Sequence, residues 1–290
     1  MMKTWNDLAF AKLNLYLGVE GLRPDGYHEL ETVFQAIDLC DRVSLTLHRR
    51  GGISLRCNLP YLPCDERNLA FKAANLFFEK TGLENPGIHL NIKKLIPVGA
   101  GMAGGSTDAA CVLRLLNRAF GMPLREKTLA DAALALGADV PFCLNGGTAL
   151  ATGVGERLKP LAPMPECRIV VGKPAFSVST KAAFGLFDQQ KTEAPPGAEQ
   201  VLQALARADL QALSGALYNS LEKPVAGEHP QITLLRECFL QNGALGARMT
   251  GSGSAVFGIF SEEECAKKAA EAAQPLCKSV FITRPLSARP

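Results

Sequence analysis

Pro97-Val98-Gly99-Ala100-Gly101-Met102-Ala103-Gly104-Gly105-Ser106-Thr107-Asp108 separates two stretches of different period. Residues 88–95 (IHLNIKKL) alternate like a strand, whereas Ala109, Val112, Leu113, Leu116 and Ala119 share one helical stripe over 107–119. A strand that enters a helix through glycines exposes free N–H groups at the helix start, and bare backbone lets an anion approach them. Ser106 and Thr107 can cap that helix or donate to phosphate. The segment therefore predicts a phosphate cradle, with a purely structural glycine turn as the plain alternative.

Two familiar phosphate motifs fail here. Gly99, Gly101 and Gly104 satisfy G-x-G-x-x-G, but the dinucleotide fold also needs a second parallel strand ending in an acidic residue about 20 residues on. That interval reads instead as helix, Pro123, and a second helix over 126–136. Gly99 and Gly104 have P-loop spacing, yet Gly105 stands where that motif has lysine. Any cation for the phosphates must come from a distant part of the chain.

Around this segment the pattern mixes strand pairs with helices, an α+β class. Residues 9–20 and 42–48 alternate as half-buried strands about an Arg23-Pro24-Asp25-Gly26 turn. Asp65-Glu66-Arg67-Asn68 opens a helix carrying Leu69, Ala73, Leu76 and Phe77 on one face, with Gly82 as its stop. Residues 148–158 read as a bent strand, and the prolines of 160–165 as a connector. A strand at 167–172 follows, then a polar, mobile loop at 191–200. Helices are expected at 199–207, 209–217, 231–241 and 262–273, with strand, Gly/Ser loop and strand over 246–260.

The chain has 290 residues, 47% hydrophobic and 20% charged, enough apolar material for a core and too much for a disordered chain. Its formal charge of +3 gives no support to a dedicated nucleic-acid binder. Nine cysteines include no C-x-x-C pair and the four histidines are scattered, which argues against a zinc site or disulfide framework and suits a reducing cytoplasm. Residues 1–7 lack the apolar core of a signal peptide, and no apolar run reaches about 18 residues. A soluble intracellular protein is expected.

Several smaller segments carry little weight singly. Asp139, in Leu136-Gly137-Ala138-Asp139-Val140-Pro141, reads as a turn or cap aspartate. Thr250-Gly251-Ser252-Gly253-Ser254 reads as a hairpin turn. Lys12 reads as an outward, solvated lysine, and Tyr27-His28 as a packed aromatic beside a surface imidazole.

Taken in order, these segments resemble the GHMP kinase superfamily over nearly the whole chain. Ile96 through Asp108 resembles its ATP loop, Leu136–Pro141 its catalytic aspartate segment, and Met249–Ser254 its third glycine motif. Ala11-Lys12-Leu13-Asn14-Leu15 and Arg23-Pro24-Asp25-Gly26-Tyr27-His28 are more specific. They resemble the branch that phosphorylates a cytidylated alditol, 4-diphosphocytidyl-2-C-methyl-D-erythritol, in the non-mevalonate route to isopentenyl diphosphate.

The resemblance implies a ribosomal-protein-like ATP domain over 1–160 and a ferredoxin-like α+β substrate domain over 161–290, with ATP and substrate meeting between them. It also implies transfer of the ATP γ-phosphoryl group to the substrate's 2-hydroxyl, with magnesium accompanying ATP. Asp139 matches the catalytic base, and Lys12 a catalytic lysine within ion-pair reach of it. Pro97 through Thr107 match the ATP loop, with Asn68 and Lys94 near the adenine. Tyr27 and His28 match residues that hold cytosine, and Phe184 a second aromatic over the base, a place Phe176 can also fill. Asn14 and Thr180 match positions near the polyol and phosphates. Ser106 and Asp108 are the local candidates for a magnesium ligand. The expected partners are small molecules, with no nucleic acid or membrane, for a monomer or weak homodimer. Another small-alcohol kinase of the superfamily, or a silent ATP-binding regulator of the same fold, are the alternatives.

Overall fold

A computed structural model describes residues 3–48, 51–190 and 194–289. Residues 1–2 of the N-terminal segment and 191–193 of the 191–200 loop lie outside the described residues. In chain order, Thr4–Leu22 (β1) turns through Arg23–Tyr27 into His28–Leu47 (β2), followed by Ile53–Cys57 (β3). Leu69–Thr81 (α1) precedes Ile88–Lys93 (β4), which leads to Gly104–Ala119 (α2), Glu126–Leu136 (α3) and Val140–Asn145 (α4). Thr148–Gly153 (β5) and Arg157–Pro160 (β6) form a hairpin, and 161–167 run without helix or strand to Arg168–Lys173 (β7). Thr180–Asp188 (α5), Glu199–Ala206 (α6) and Leu210–Gly215 (α7) lead to Tyr218–Asn219 (β8). Glu222–Glu228 (α8), Gln231–Gln241 (α9), Gly246–Met249 (β9), Val256–Phe260 (β10), Glu263–Ala273 (α10) and Ser279–Thr283 (β11) complete the described fold.

Local signals set most of these ends. The Asn68 side chain accepts from Ala70 N at 2.9 Å and caps α1, and Gly82 closes that helix through Phe78 O. The turn between β1 and β2 is drawn tight by Asp25, whose Oδ1 accepts from Tyr27 N at 3.1 Å. The strands themselves are longer than their alternation predicts. Ala11 through Val19 of β1 are buried without interruption, because this strand is covered on both faces, and a strand in that position loses the in-out period.

The chain divides into two compact units. One takes the residues up to Ala11, Leu39–Ile96 and Ala103–Asn145; the other takes Lys12–Asp38, Pro97–Met102 and everything from Gly146. In the first unit β3 pairs in parallel with β4, and β4 pairs antiparallel with Arg42–Leu47 of β2. α1 packs against α2 and α3, burying Ala70, Ala73, Ala74 and Phe77. In the second unit β5 pairs with Leu30–Gln35 of β2, and β8 runs parallel to Tyr16–Leu17 of β1. A separate antiparallel sheet in the order β11-β7-β10-β9 carries α9 and α10. Phe239, Phe260, Leu235 and Val170 fill its core, and truncating a phenylalanine buried to this degree costs about 3–5 kcal/mol.

Candidate functional site

The glycine segment begins its helix early. α2 starts at Gly104, three residues before the periodicity predicts, so Gly104, Gly105 and Ser106 form its first turn. Glycine is a poor helix former, and the position is held from outside: Lys94 Nζ donates to Gly104 O at 3.1 Å. The residue ahead of the helix, Ala103, has φ 57, in the left-handed region, and makes no side-chain cap. Helix geometry leaves the first N–H groups without intrahelical acceptors, and here no capping side chain competes for them. Thr107 is turned away from this end, its Oγ1 donating to Phe10 O at 2.8 Å, whereas Ser106 is half-exposed. The N-terminal end of α2 therefore presents backbone donors and a positive helix dipole to an anion.

Pro97–Met102, in the second unit, lie backbone against backbone on the Thr250–Ser254 loop. A Cβ on Gly101 would stand 2.1 Å from Thr250 O, and one on Gly99 would stand 2.8 Å from Ser177 Cβ. Lys12 N donates to Met102 O at 3.3 Å, and Asn14 N donates to Thr250 Oγ1 at 3.0 Å. Three segments far apart in sequence, β1, the glycine segment and the β9–β10 loop, thus meet. The β9–β10 loop is a turn between antiparallel strands, as its composition predicts, and it also supports the neighbouring glycines.

Lys12 is not the solvated lysine that alternation predicts. It is 5% exposed, with Nζ donating to Asn14 Oδ1 at 2.7 Å and lying 4.8 Å from the centre of the Phe34 ring. Residues two apart on a strand share a face, which is why Lys12 and Asn14 meet. Burial of the ammonium is offset by the amide oxygen and by a cation–π contact. Asn14 is itself fixed, donating through Nδ2 to Thr32 Oγ1 at 2.8 Å.

The expected surroundings of Tyr27 and His28 are exchanged. Tyr27 is 65% exposed at the end of the turn, while the side chain of His28 is only 9% exposed. Tyr27 follows the turn and β2 begins at His28, so the fold covers the imidazole rather than the phenol. His28 stacks on Phe184 with ring centres 4.6 Å apart, meets Phe187 edge-on, and places Nε2 2.7 Å from Asp188 Oδ1. Phe184, Phe187 and Asp188 all belong to α5, a helix not anticipated from its pattern, although Ser179 caps it by accepting from Ala182 N at 3.1 Å. Thr180 at its start lies 3.4 Å, hydroxyl to hydroxyl, from Ser252. Phe176, the other candidate for a place over the base, stacks on His229 at 4.2 Å.

The remaining candidates belong to the first unit. Lys94 is buried, with Nζ donating to Asp41, to Asp108 Oδ2 at 2.7 Å and to Gly104 O. Burial opposes its charge, but the two carboxylates outweigh that and raise its pKa. Burial also pushes the Asp108 carboxyl up to about 7; the Lys94 ammonium pulls it down and Asp41 pushes it further up. Asp41 Oδ1 accepts from Ile96 N at 2.8 Å, so the cluster ties the end of β4 to the first turn of α2. Asp41 gave no signal in sequence, lying inside a strand with no motif around it. Asn68 donates to Pro63 O at 2.8 Å while capping α1. Asp139 is half-buried, and its carbonyl accepts from Cys143 N at 3.2 Å at the start of α4. Among the described residues there is no group of three His, Cys, Asp or Glu side chains fit to hold a metal, and no helix is long and apolar enough to cross a membrane.

A glycine-lined helix start beside a buried lysine can hold an anion such as phosphate, and the chain is similar to known phosphotransferases. Residues 68–147 match the GHMP kinases N terminal domain and 201–278 the GHMP kinases C terminal domain. The chain belongs to the GHMP kinases. It is 43% identical over 279 residues to the 4-diphosphocytidyl-2-C-methyl-D-erythritol kinase of Clostridium botulinum (strain Eklund 17B / Type B), covering 96% of this chain and 99% of that one. A solved 4-(cytidine 5'-diphospho)-2C-methyl-D-erythritol kinase superposes with a TM-score of 0.82 at 37% identity, covering 97% of this chain and 99% of its own. Within the GHMP kinases, the chain is therefore a member of the 4-diphosphocytidyl-2-C-methyl-D-erythritol kinase family. A homoserine kinase from Cytophaga hutchinsonii shares the fold, with a TM-score of 0.79 at 20% identity, covering 98% of this chain and 95% of that one.

Proposed function

We propose that this chain transfers the γ-phosphoryl group of ATP to the 2-hydroxyl of 4-diphosphocytidyl-2-C-methyl-D-erythritol, giving the 2-phosphate and ADP. The observation that carries this reading is its likeness, over nearly the full length of both chains, to kinases named for that substrate. The reaction belongs to the non-mevalonate route to isopentenyl diphosphate, and nine free thiols suit the cytoplasm.

Phosphoryl transfer depends on positioning and charge stabilisation more than on covalent chemistry. The backbone from Pro97 to Thr107 binds the phosphates, with the donors at the start of α2 facing them. The half-exposed Ser106 hydroxyl would hold the magnesium bound with ATP, which would neutralise part of their charge, whereas Asp108 is buried and held by Lys94. Asn68 and Lys94 lie near the adenine, Lys94 acting there indirectly by fixing Gly104 at the start of α2. Asp139 accepts the proton of the attacking hydroxyl, and Lys12 offsets charge developing on the transferred group. Asn14 and Thr180 contact the polyol and its phosphates. Tyr27 supplies an exposed aromatic face for cytosine, with His28 and Phe184 beside it.

The test is ADP release from Mg·ATP with the cytidylated substrate, run beside methylerythritol, mevalonate, homoserine and galactose. Turnover with the cytidylated substrate alone is expected. Turnover with another alcohol removes the roles given to Tyr27, His28 and Phe184. Silence with all five, from folded protein that binds ATP, removes the kinase reading.

A further inference from the structure

His28 is gripped by one helix on three sides. Positions i, i+3 and i+4 of a helix share a face, so α5 presents Phe184, Phe187 and Asp188 together. Phe184 covers one face of the imidazole at 4.6 Å and 22° between planes, and Phe187 meets it at 88°. Asp188 Oδ1 closes the grip at 2.7 Å from Nε2. The carboxylate is 48% exposed while the imidazole is 9% exposed, so the pair joins a wet acceptor to a nearly enclosed ring.

A neutral imidazole carries one N–H donor and one acceptor nitrogen, whereas an ionised carboxylate only accepts. A carboxylate at Nε2 therefore requires the hydrogen on Nε2 and leaves Nδ1 with its lone pair. We propose that Asp188 is a positioning residue that selects the base of the substrate by holding His28 in the Nε2–H form, so that Nδ1 accepts from the exocyclic amine of cytosine. The proposal rests on the cytidylated substrate proposed above. Uracil carries a carbonyl oxygen where cytosine carries that amine, and two acceptors then face each other. A site built around such a hydrogen bond rejects the analogue that lacks the donor.

An asparagine in place of Asp188 offers either an N–H or a carbonyl to Nε2, so it no longer dictates the tautomer. The experiment measures kcat/KM for the cytidine substrate and its uridine counterpart in the wild type, Asp188→Asn and Asp188→Glu. Asp188→Asn is expected to lower the cytidine-over-uridine preference about tenfold, chiefly through KM, and Asp188→Glu to restore most of it. An unchanged preference in Asp188→Asn, with both substrates slowed equally, would show a merely structural contact and overturn the proposal. Nitrogen chemical shifts of the His28 ring in the wild type provide a second readout that does not depend on turnover. A protonated Nε2 and bare Nδ1 are expected; the opposite assignment overturns the proposal even if the kinetics agree. A wild type that ignores the cytidylated substrate overturns the substrate reading and the base selection with it, while the ring shifts still judge the Asp188–His28 tautomer.

Discussion

Gly101 and Gly105 lie four residues apart in one segment and are glycine for different reasons. At Gly101 the backbone has φ +72, and an added Cβ would stand 2.1 Å from Thr250 O and 3.1 Å from Gly253 N. Folding alone demands a missing side chain there. At Gly105, inside the first turn of α2, the nearest atom to an added Cβ is Leu69 Cδ1 at 3.6 Å, an ordinary contact. Alanine would even favour the helix by about 1 kcal/mol. The fold has no use for glycine at 105, whereas the phosphate proposed to bind there would come close to bare backbone. The first half of the glycine segment is thus an assembly joint, and the second half is the part proposed to bind phosphate.

Substitutions that separate folding from chemistry test this contrast. Asp139→Asn keeps the shape of the side chain and removes the proposed base, so turnover should fall about 10²–10⁴-fold while ATP still binds. Near-normal turnover in a calorimetrically ATP-competent variant would remove Asp139 from that role. Gly101→Ala should do the reverse and cost about 3 kcal/mol or more of stability, seen as a lower urea midpoint. If this variant folds as well as the wild type, Gly101 is not a joint. Tyr27→Ala should weaken the cytidylated substrate by about 1–3 kcal/mol through lost stacking and leave ATP affinity alone. An equal loss of ATP affinity would count against a base-binding Tyr27.

The Asp41–Lys94–Asp108 cluster, which steadies the end of the segment at Gly104, predicts a pH dependence. The Asp108 carboxyl sits near 7 in the folded protein against an ordinary 3.8, so the folded state keeps a proton that the unfolded chain releases. Its contribution to stability is complete below about pH 4 and is lost as pH rises through about 7. Urea midpoints between pH 4 and 8 should fall along that window in the wild type and fall less in Asp108→Asn. The smallest effect belongs to Gly105→Ala. Its stability should hold or rise by up to about 1 kcal/mol, while ATP affinity drops severalfold. Unchanged ATP affinity would mean that phosphate does not approach this backbone.

Much of the architecture was legible from short-range features. α1 is announced by Asn68 and ended by Gly82, α3 occupies the 126–136 span that its period predicts, and the hairpins lie at Arg23–Tyr27 and 250–255. Such elements follow from caps, periods and turn residues, which act within one or two turns of chain. The phosphate-loop candidate was equally plain, since a glycine run between strand and helix states its own geometry. Less plain was its inner boundary. The helix begins at Gly104 because Lys94 reaches that carbonyl, an influence that propensity does not contain.

The environment of the candidate side chains came only from the tertiary fold. Lys12 was expected in solvent and is buried because β1 is covered on both faces, and Asn14, two residues on, is met by Thr250 from 236 positions away. His28 rather than Tyr27 is enclosed because α5, more than 150 residues downstream, packs Phe184 against it. No local period records which distant segment will cover a residue. Residue type and spacing state what a side chain can do chemically; long-range packing sets its partners, its burial and hence its charge.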